Sequence, residues 1–104
     1  MALLKDFAYA RSGDKGSHVN IGVIAIRSED YPFLCANLTE KRVMDFFSAL
    51  YPSRVQRFEL PNLHALNFLL YNVLDGGGSL NLRVDAQGKA LGQALLQMPI
   101  EKKP

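Results

Sequence analysis

The chain has 104 residues, 48% of them hydrophobic, which suits one packed domain over residues 1–104 and argues against a disordered chain. Twelve basic side chains stand against ten acidic ones, so the net charge is only +2. The basic residues are dispersed and form no stripe interleaved with aromatic side chains, so we expect no binding to nucleic acid.

Features of secreted, membrane-bound and metal-binding proteins are also missing from the sequence. The first residues have no charged segment followed by a long apolar run, and apolar stretches such as 21–26 are far too short to span a bilayer. The single cysteine, Cys35, has no partner for an internal disulfide or for a metal-ligand spacing. We therefore expect a cytoplasmic protein that holds no metal or cofactor and does not contact a membrane.

The first third of the chain predicts two strands joined by a loop. Residues 3–11 alternate larger and smaller apolar side chains, which is typical of a strand. Residues 20–27 are apolar on both faces, as in a central strand, and Gly22 indicates that another group approaches closely. Residues 12–19 are polar and contain two glycines, and we predict a loop too long for a tight hairpin turn.

The middle of the chain predicts a helix, a strand and a second helix. After a connection over residues 28–33, Thr39 is placed as the N-cap of a helix that ends near residue 50. Four apolar residues recur there at helical spacing and should face the core: Val43, Phe46, Phe47 and Leu50. Residues 54–60 have the mixed polarity of a strand. Residues 63–74 are apolar nearly all round, which predicts a buried helix capped by Asn62.

The last third predicts a strand and a final helix. Residues 76–78 are three glycines that end the second helix, and residues 79–85 alternate apolar and polar side chains as a half-buried strand does. A final helix after Gly88 carries one apolar stripe, formed by Leu91, Ala94, Leu95 and Met98.

The predicted order is therefore β-β-α-β-α-β-α. It indicates a two-layer α+β fold, with a sheet of about four strands and with helices on one face only. The strands of that sheet are predicted near residues 3–11, 20–27, 54–60 and 79–85.

The polar loop holds the best candidates for a ligand site. The candidate residues are Arg11, Ser12, Gly13, Asp14, Lys15, Gly16, His18 and Asn20. The two glycines can turn backbone N–H groups toward one point, and Arg11 and Lys15 add positive charge, so a phosphate or carboxylate fits there if Asp14 points away. The alternative is a structural connection in which Asp14 accepts hydrogen bonds from the loop itself. No catalytic residue is assigned, because no nucleophile lies in a recognisable setting.

Several motifs, in order and spacing, resemble those of the AtuA-like ferredoxin-fold domain. The first two are Ala-Arg-Ser-Gly-Asp-Lys-Gly at 10–16 and Asn-Ile-Gly-Val-Ile-Ala at 20–25. The next are Arg-Phe-Glu-Leu-Pro-Asn at 57–62, Ala-Leu-Asn-Phe at 65–68 and Leu-Asp-Gly-Gly-Gly at 74–78. The last matches are Ser79-Leu80, Arg83, Asp85, Gly88-Lys89 and Leu95-Leu96. The resemblance extends from about Phe7 to Met98.

The resemblance implies a ferredoxin-like fold and a role next to a larger protein. In that family the domain usually forms the C-terminal part of acyclic terpene utilisation proteins, behind a much larger N-terminal domain, and here it is expected to be stand-alone. The resemblance therefore implies an accessory or interaction subunit of an AtuA-type large protein, in acyl-CoA or terpenoid catabolism. The alternative is a small enzyme, or half of one, that binds an anionic acyl or acyl-CoA substrate at residues 11–16.

A sheet that is covered on one side also predicts association. Its other face stays open, and Phe7, Tyr9 and Val55 are expected to project there. The partner is then either the AtuA-type large protein or a second copy of the chain in a homo-oligomer.

Overall fold

The computed structural model describes residues 2–73 and 88–101, which form an α+β fold of the ferredoxin-like type. Four antiparallel strands form the main sheet in the order β2-β3-β5-β4. Their bounds are Ala8–Lys15 for β2, His18–Ala25 for β3, Arg54–Leu60 for β4 and Ala65–Tyr71 for β5. A separate two-stranded ribbon pairs β1 (Ala2–Leu3) with β6 (Pro99–Ile100).

The helices are short. They are α1 (Tyr31–Asn37), α2 (Glu40–Phe46) and α3 (Gly88–Leu95). Single 3-10 turns cover Leu4–Asp6, Ser28–Asp30, Ser48–Leu50 and Pro61–Leu63. The N-terminus of α2 is as predicted, since the hydroxyl of Thr39 accepts a hydrogen bond from the N–H of Arg42 at 3.1 Å.

The core lies between one face of the sheet and the helices. Alternate residues of β3 and β5 are fully or almost fully buried on this covered face: Val19, Ile21, Val23, Ala25, Leu66, Phe68 and Leu70. Residues directly opposite in antiparallel strands point to the same face, so Ser12 and Arg57 share the row of Ile21 and Phe68. Ser12 contacts α3 and Arg57 contacts α1, which confirms the prediction of helices on one face.

The predicted loop over residues 12–19 is wrong: these residues continue two strands. β2 and β3 pair without interruption from Ala8↔Ala25 to Lys15↔His18, and only Gly16 and Ser17 are left for the turn. Gly13, Asp14 and Gly16 have low strand propensity, which favoured a loop in the sequence. In the fold, pairing with the buried strand β3 outweighs that preference.

The predicted helix over residues 63–74 is also wrong, because Ala65–Tyr71 forms β5. Pro61–Leu63 is a 3-10 turn, and His64 follows it in a left-handed conformation with φ 51°. A short run that is apolar on both sides suits a buried central strand as well as a buried helix. Here β5 is an inner strand between β3 and β4, with Leu66, Phe68 and Leu70 buried on one face and Asn67, Leu69 and Tyr71 half-buried on the other. The glycines at 76–78 and the strand predicted for 79–85 lie outside the described residues.

The opposite side of the sheet, called the open face below, carries the other half of the alternating side chains. Its members are Tyr9, Arg11, Lys15, His18, Asn20, Ile24, Arg54, Gln56, Phe58, Leu60, Asn67, Leu69 and Tyr71, together with Gly13 and Gly22. Tyr9 is there, as predicted. The placement of Phe7 and Val55 there is wrong, because Val55 is buried opposite Leu70 and Phe7 packs on Phe33 with 5.0 Å between ring centroids.

Candidate functional site

The candidate residues fold into a β-hairpin because a two-residue turn brings Lys15 opposite His18. Gly16, the first turn residue, has φ +65°, a conformation that costs little only for a residue without a Cβ. Glycine at the first of two turn positions is typical of the type II′ turn, whose twist matches that of the flanking strands. Gly16 is therefore explained by the turn itself.

The hairpin does not form the anion-binding loop that the sequence suggested. Gly13 is paired opposite Asn20 within the ladder, three residues before Gly16. At about 3.3 Å per residue of strand, the two glycines lie about 10 Å apart, so their N–H groups cannot converge on one ion. Contacts of the candidate residues to a ligand therefore depend on their side chains and not on converging glycine N–H groups.

Those side chains are divided between the two faces of the sheet. Arg11, Gly13, Lys15, His18 and Asn20 belong to the open face, whereas Ser12 and Asp14 belong to the covered side. Alternation along a strand makes this division unavoidable. The single carboxylate of the set is thus separated from the cations.

Ser12 has a structural partner. Its Oγ accepts a hydrogen bond from the main-chain N–H of Gly92 in α3 at 2.7 Å. A Cβ added to Gly92 would lie only 2.8 Å from that oxygen, so α3 approaches β2 as closely as a glycine permits. Ser12 therefore faces α3 and not the open face.

His18 is held by its neighbours on β5. Its Nδ1 accepts a hydrogen bond from the N–H of Asn72 at 2.9 Å, and its ring lies 4.8 Å from that of Tyr71. A nitrogen that accepts carries no proton, so the neutral imidazole has its proton on Nε2. His18 therefore offers a donor, not an acceptor, to anything beyond Nε2.

Two residues near His18 were not among the sequence candidates. The guanidinium of Arg54 lies over the ring of Tyr71, 5.4 Å from its centroid, and the Tyr71 hydroxyl donates to Gln56 Oε1 at 2.8 Å. Both belong to the same row across the sheet as Lys15 and His18. Only the correct assignment of β5 as a strand could have revealed this row.

The centre of the open face contains a pair of amides. Asn20 Nδ2 donates to Asn67 Oδ1 at 2.9 Å, across neighbouring strands. The other polar atoms of the pair, Asn20 Oδ1 and Asn67 Nδ2, have no hydrogen-bond partner in the part of the chain that the structure describes. Gly13 and Gly22 lie beside the pair, which is half-buried.

Charge on the open face has one sign. It carries Arg11, Lys15 and Arg54 and, among the described residues, no aspartate or glutamate. The ion pairs of the described residues lie elsewhere: Arg27–Glu29, Lys41–Asp45 and Arg57–Glu59. The open face is therefore complementary to an anionic surface or ligand.

A shallow depression lies on the other side of the molecule, beside α2, and is lined by Thr39, Glu40, Lys41, Arg57 and Glu59. Its central groups already bind one another. Arg57 donates to the carbonyl oxygens of Cys35 and Leu38 at 2.7 and 3.0 Å and to Glu59 Oε2 at 2.8 Å. This network connects α1 to β4 and leaves little for a ligand.

Tyr31 is the described residue with a shifted acidity. Burial raises the pKa of its hydroxyl above the ordinary 10.0, and the neighbouring Cys35 and Glu59 act in the same direction. The hydroxyl donates to the carbonyl oxygen of Ala65 at 3.0 Å. A phenol held in its protonated form in this way acts as a structural donor and not as a base.

Neither metal ligation nor membrane insertion has support in residues 2–73 and 88–101. They contain no group of three or more histidine, cysteine, aspartate or glutamate side chains able to hold a metal ion. No described helix has the length and apolar character needed to cross a bilayer.

Comparison with known families gives one match. The family model described as the AtuA ferredoxin-like domain matches residues 2–101, nearly the whole chain. No curated protein and no solved structure matches the chain.

Proposed function

This chain belongs to the AtuA ferredoxin-like domain family, and on that premise we propose that it is an accessory interaction module that docks on an AtuA-type large protein. The observation that carries the proposal is the open face. Tyr9, Phe58 and Leu60 expose 61%, 41% and 40% of their surface on it. Large apolar side chains that share one exposed face favour an interface, since each loses contact with water when a partner covers it.

The composition of the open face resembles that of known interface cores. Its apolar side chains lie at the end near Tyr9 and Leu60, which occupy one row across the sheet with Ile24 between them. Phe58 and Arg11 share the adjacent row of the open face. Aromatic residues and arginine are both enriched in interfaces. We infer that this apolar end supplies most of the binding energy.

A second copy of the chain suits this face less well than a different protein does. Face-to-face pairing would bring two sets of three cations together, with no carboxylate on either described surface to neutralise them. A partner with acidic residues avoids that repulsion. The family context leads us to propose acyl-CoA or terpenoid catabolism as the setting of the complex.

The test is a binding titration between the chain and an AtuA-type large protein from the same host. Replacing Tyr9 and Phe58 together with serine is expected to weaken the affinity by about tenfold or more, because exposed aromatic anchors dominate interface energy. Tyr51→Ser is the matched control, since Tyr51 is 76% exposed but lies outside the sheet. Equal affinity of all three proteins would refute docking through the open face.

Light scattering on the chain alone tests the homo-oligomer. We expect a monomer at low micromolar concentration. A dimer that the Tyr9→Ser/Phe58→Ser variant dissociates would show instead that the open face binds its own copy.

A second candidate function rests on Arg11 and Lys15, two cations that have no ion-pair partner among the residues that the structure describes. In this alternative the chain is a small enzyme, or half of one, that binds an anionic acyl or acyl-CoA substrate near residues 11–16. Calorimetric titration with phosphate, CoA and short acyl-CoAs, on the wild type and on Lys15→Ala, tests it. Affinity that falls about tenfold in Lys15→Ala supports this alternative, whereas no heat with the wild type refutes it.

A further inference from the structure

Gly13 and Gly22 are glycines that the fold of the chain does not require. Gly16 is the only described glycine with a positive φ, so neither Gly13 nor Gly22 needs the conformational freedom of glycine. A Cβ added at Gly13 would meet nothing within 4 Å, and one at Gly22 would meet its nearest atoms at 3.9 Å, an ordinary contact. Glycine inside a strand costs about 0.5–1 kcal/mol relative to alanine.

Both glycines lie on the open face, so a side chain at either position would project outward. Glycine within a strand often marks a place where another backbone or a ligand approaches closely. Residues 2–73 and 88–101 supply no such neighbour, and we take the approaching backbone to belong to a partner.

The groups next to the two glycines are those that bind a peptide and an acid. Asn67 Nδ2 can donate and Asn20 Oδ1 can accept, which matches the C=O and N–H of an extended backbone. Arg11 lies in the same row as Gly22 and Asn67, separated from Asn67 by the glycine. Its planar guanidinium is suited to a carboxylate, which it can bind through two parallel hydrogen bonds.

The shape of this region favours a protein segment over a small molecule. Sites for small ligands are clefts that enclose most of the ligand, whereas these residues lie on the flat side of a four-stranded sheet. An extended segment can lie flat on such a surface and gain backbone contacts along its length. The cations of the open face then require that the segment be acidic.

We propose that an acidic, extended segment of the large partner crosses the centre of the open face on a cradle formed by Arg11, Gly13, Asn20, Gly22 and Asn67. This inference rests on the proposed docking and specifies its chemistry. A partner carboxylate binds Arg11, the partner backbone hydrogen-bonds to the asparagine pair, and the two glycines allow it to come within contact distance. The apolar end with Tyr9 and Leu60 is bound by a separate part of the partner, whereas Phe58, opposite Asn67, borders the cradle.

The experiment is a titration of the large protein into four variants of the chain, each with its stability measured by urea denaturation. Gly13→Val and Gly22→Ala fill the cradle without disturbing the fold, so both should bind about tenfold or more weakly while unfolding at an unchanged or higher urea concentration. Asn67→Asp keeps the acceptor for Asn20 but adds a negative charge, and it should weaken binding to the same extent.

Charge reversal completes the set. Arg11→Glu should weaken binding about tenfold or more and lessen its dependence on salt, because it removes an attraction that salt screens. Lys41→Glu is the matched control, with the same change in net charge on α2. It should bind like the wild type.

Each outcome decides between the two proposals. If Tyr9→Ser/Phe58→Ser weakens binding while Arg11→Glu, Asn67→Asp and the glycine variants do not, the docking proposal stands and the cradle is overturned. If none of the variants matters, both proposals fail. A parallel titration with a single-stranded oligothymidylate should give no binding. Tight binding that Arg11→Glu abolishes would assign the cradle to nucleic acid and overturn the proposal.

Discussion

The hydroxyl of Ser12 and the main-chain N–H of Gly92 are joined at 2.7 Å, although the two residues are 80 positions apart in the sequence. This contact determines how closely α3 can pack on β2. It also explains a glycine in the middle of a helix, where glycine normally costs about 1 kcal/mol relative to alanine.

Gly92→Ala should therefore destabilise the protein, against the usual effect of this change in a helix. The new Cβ would lie 2.8 Å from Ser12 Oγ and 3.2 Å from Ser12 Cβ and N, so α3 has to shift away. We expect a loss of about 1–3 kcal/mol in the free energy of unfolding, measured by urea denaturation.

Two comparisons isolate that contact. Gly13→Ala adds the same methyl group at a position with nothing within 4 Å, and its stability should not fall. Adding Ser12→Gly to Gly92→Ala removes the two side-chain atoms that clash, so the double variant should lose less stability than the two single changes added together. Simple additivity would show that α3 does not press on β2 at this point.

Stability should be sensitive to replacement of Arg57. It donates to two carbonyl oxygens at the end of α1 and to Glu59, and only 20% of its side chain is exposed. Arg57→Leu leaves those carbonyls without a donor. We expect a loss of about 2–4 kcal/mol by urea denaturation, because hydrogen bonds to charged groups contribute more than neutral ones.

Arg27→Leu is the comparison for Arg57. Arg27 lies 4.0 Å from Glu29, and both side chains are more than 70% exposed, so solvent screens the pair. Its replacement should change the stability by less than about 0.5 kcal/mol. A similar loss for both variants would contradict the structural role assigned to Arg57.

The stability of the chain should fall at high pH through Tyr31. Because burial raises the pKa of this hydroxyl above 10.0, the unfolded chain loses the proton first. The contribution of Tyr31 is thus complete below pH 10.0 and disappears as the pH rises through the higher, folded-state pKa. A loss of stability as the pH rises is the direction expected for a group whose pKa is raised on folding.

Tyr31→Phe makes this effect measurable. The variant lacks the hydrogen bond to Ala65, so it should be less stable than the wild type at about pH 8, and the difference should shrink at about pH 11. Tyr51→Phe, which removes an exposed hydroxyl, serves as the control. A difference that is equal at both pH values would exclude Tyr31 from the alkaline response.

Local signals in the sequence predicted those elements that depend on local chemistry. The strand at 54–60 was predicted with the observed ends, and Thr39 was identified as the cap of α2. The stripe of the last helix is confirmed by the burial of Leu91, Leu95 and Met98, although the helix itself ends at Leu95. In each case the signal comes from residues that are close together in the sequence.

The wrong loop over residues 12–19 and the wrong helix over residues 63–74 have a common physical cause. Residues 12–15 pair with β3 across a two-residue turn, and residues 65–71 pair with β3 from a distant part of the sequence. Each segment becomes a strand only through this pairing. Glycine, aspartate and lysine at 13–15 have low strand propensity. The apolar run from Ala65 to Tyr71 fits a buried helix as well as it fits a buried strand. The open face and its asparagine pair were hidden for the same reason, since Asn20 and Asn67 meet only in the correct sheet.

A side chain from α2 occupies the β4 edge of the sheet. On β4 the backbone N–H of Arg57 donates to Glu40 Oε2 at 2.8 Å, so a carboxylate from α2 occupies a position that an incoming strand would need. An edge strand with free N–H groups invites pairing with another chain, and charged groups placed there prevent it. Growth of the sheet into a fibril from β4 would have to displace Glu40 and bury its charge, so protonating or replacing Glu40 should expose this edge to aggregation.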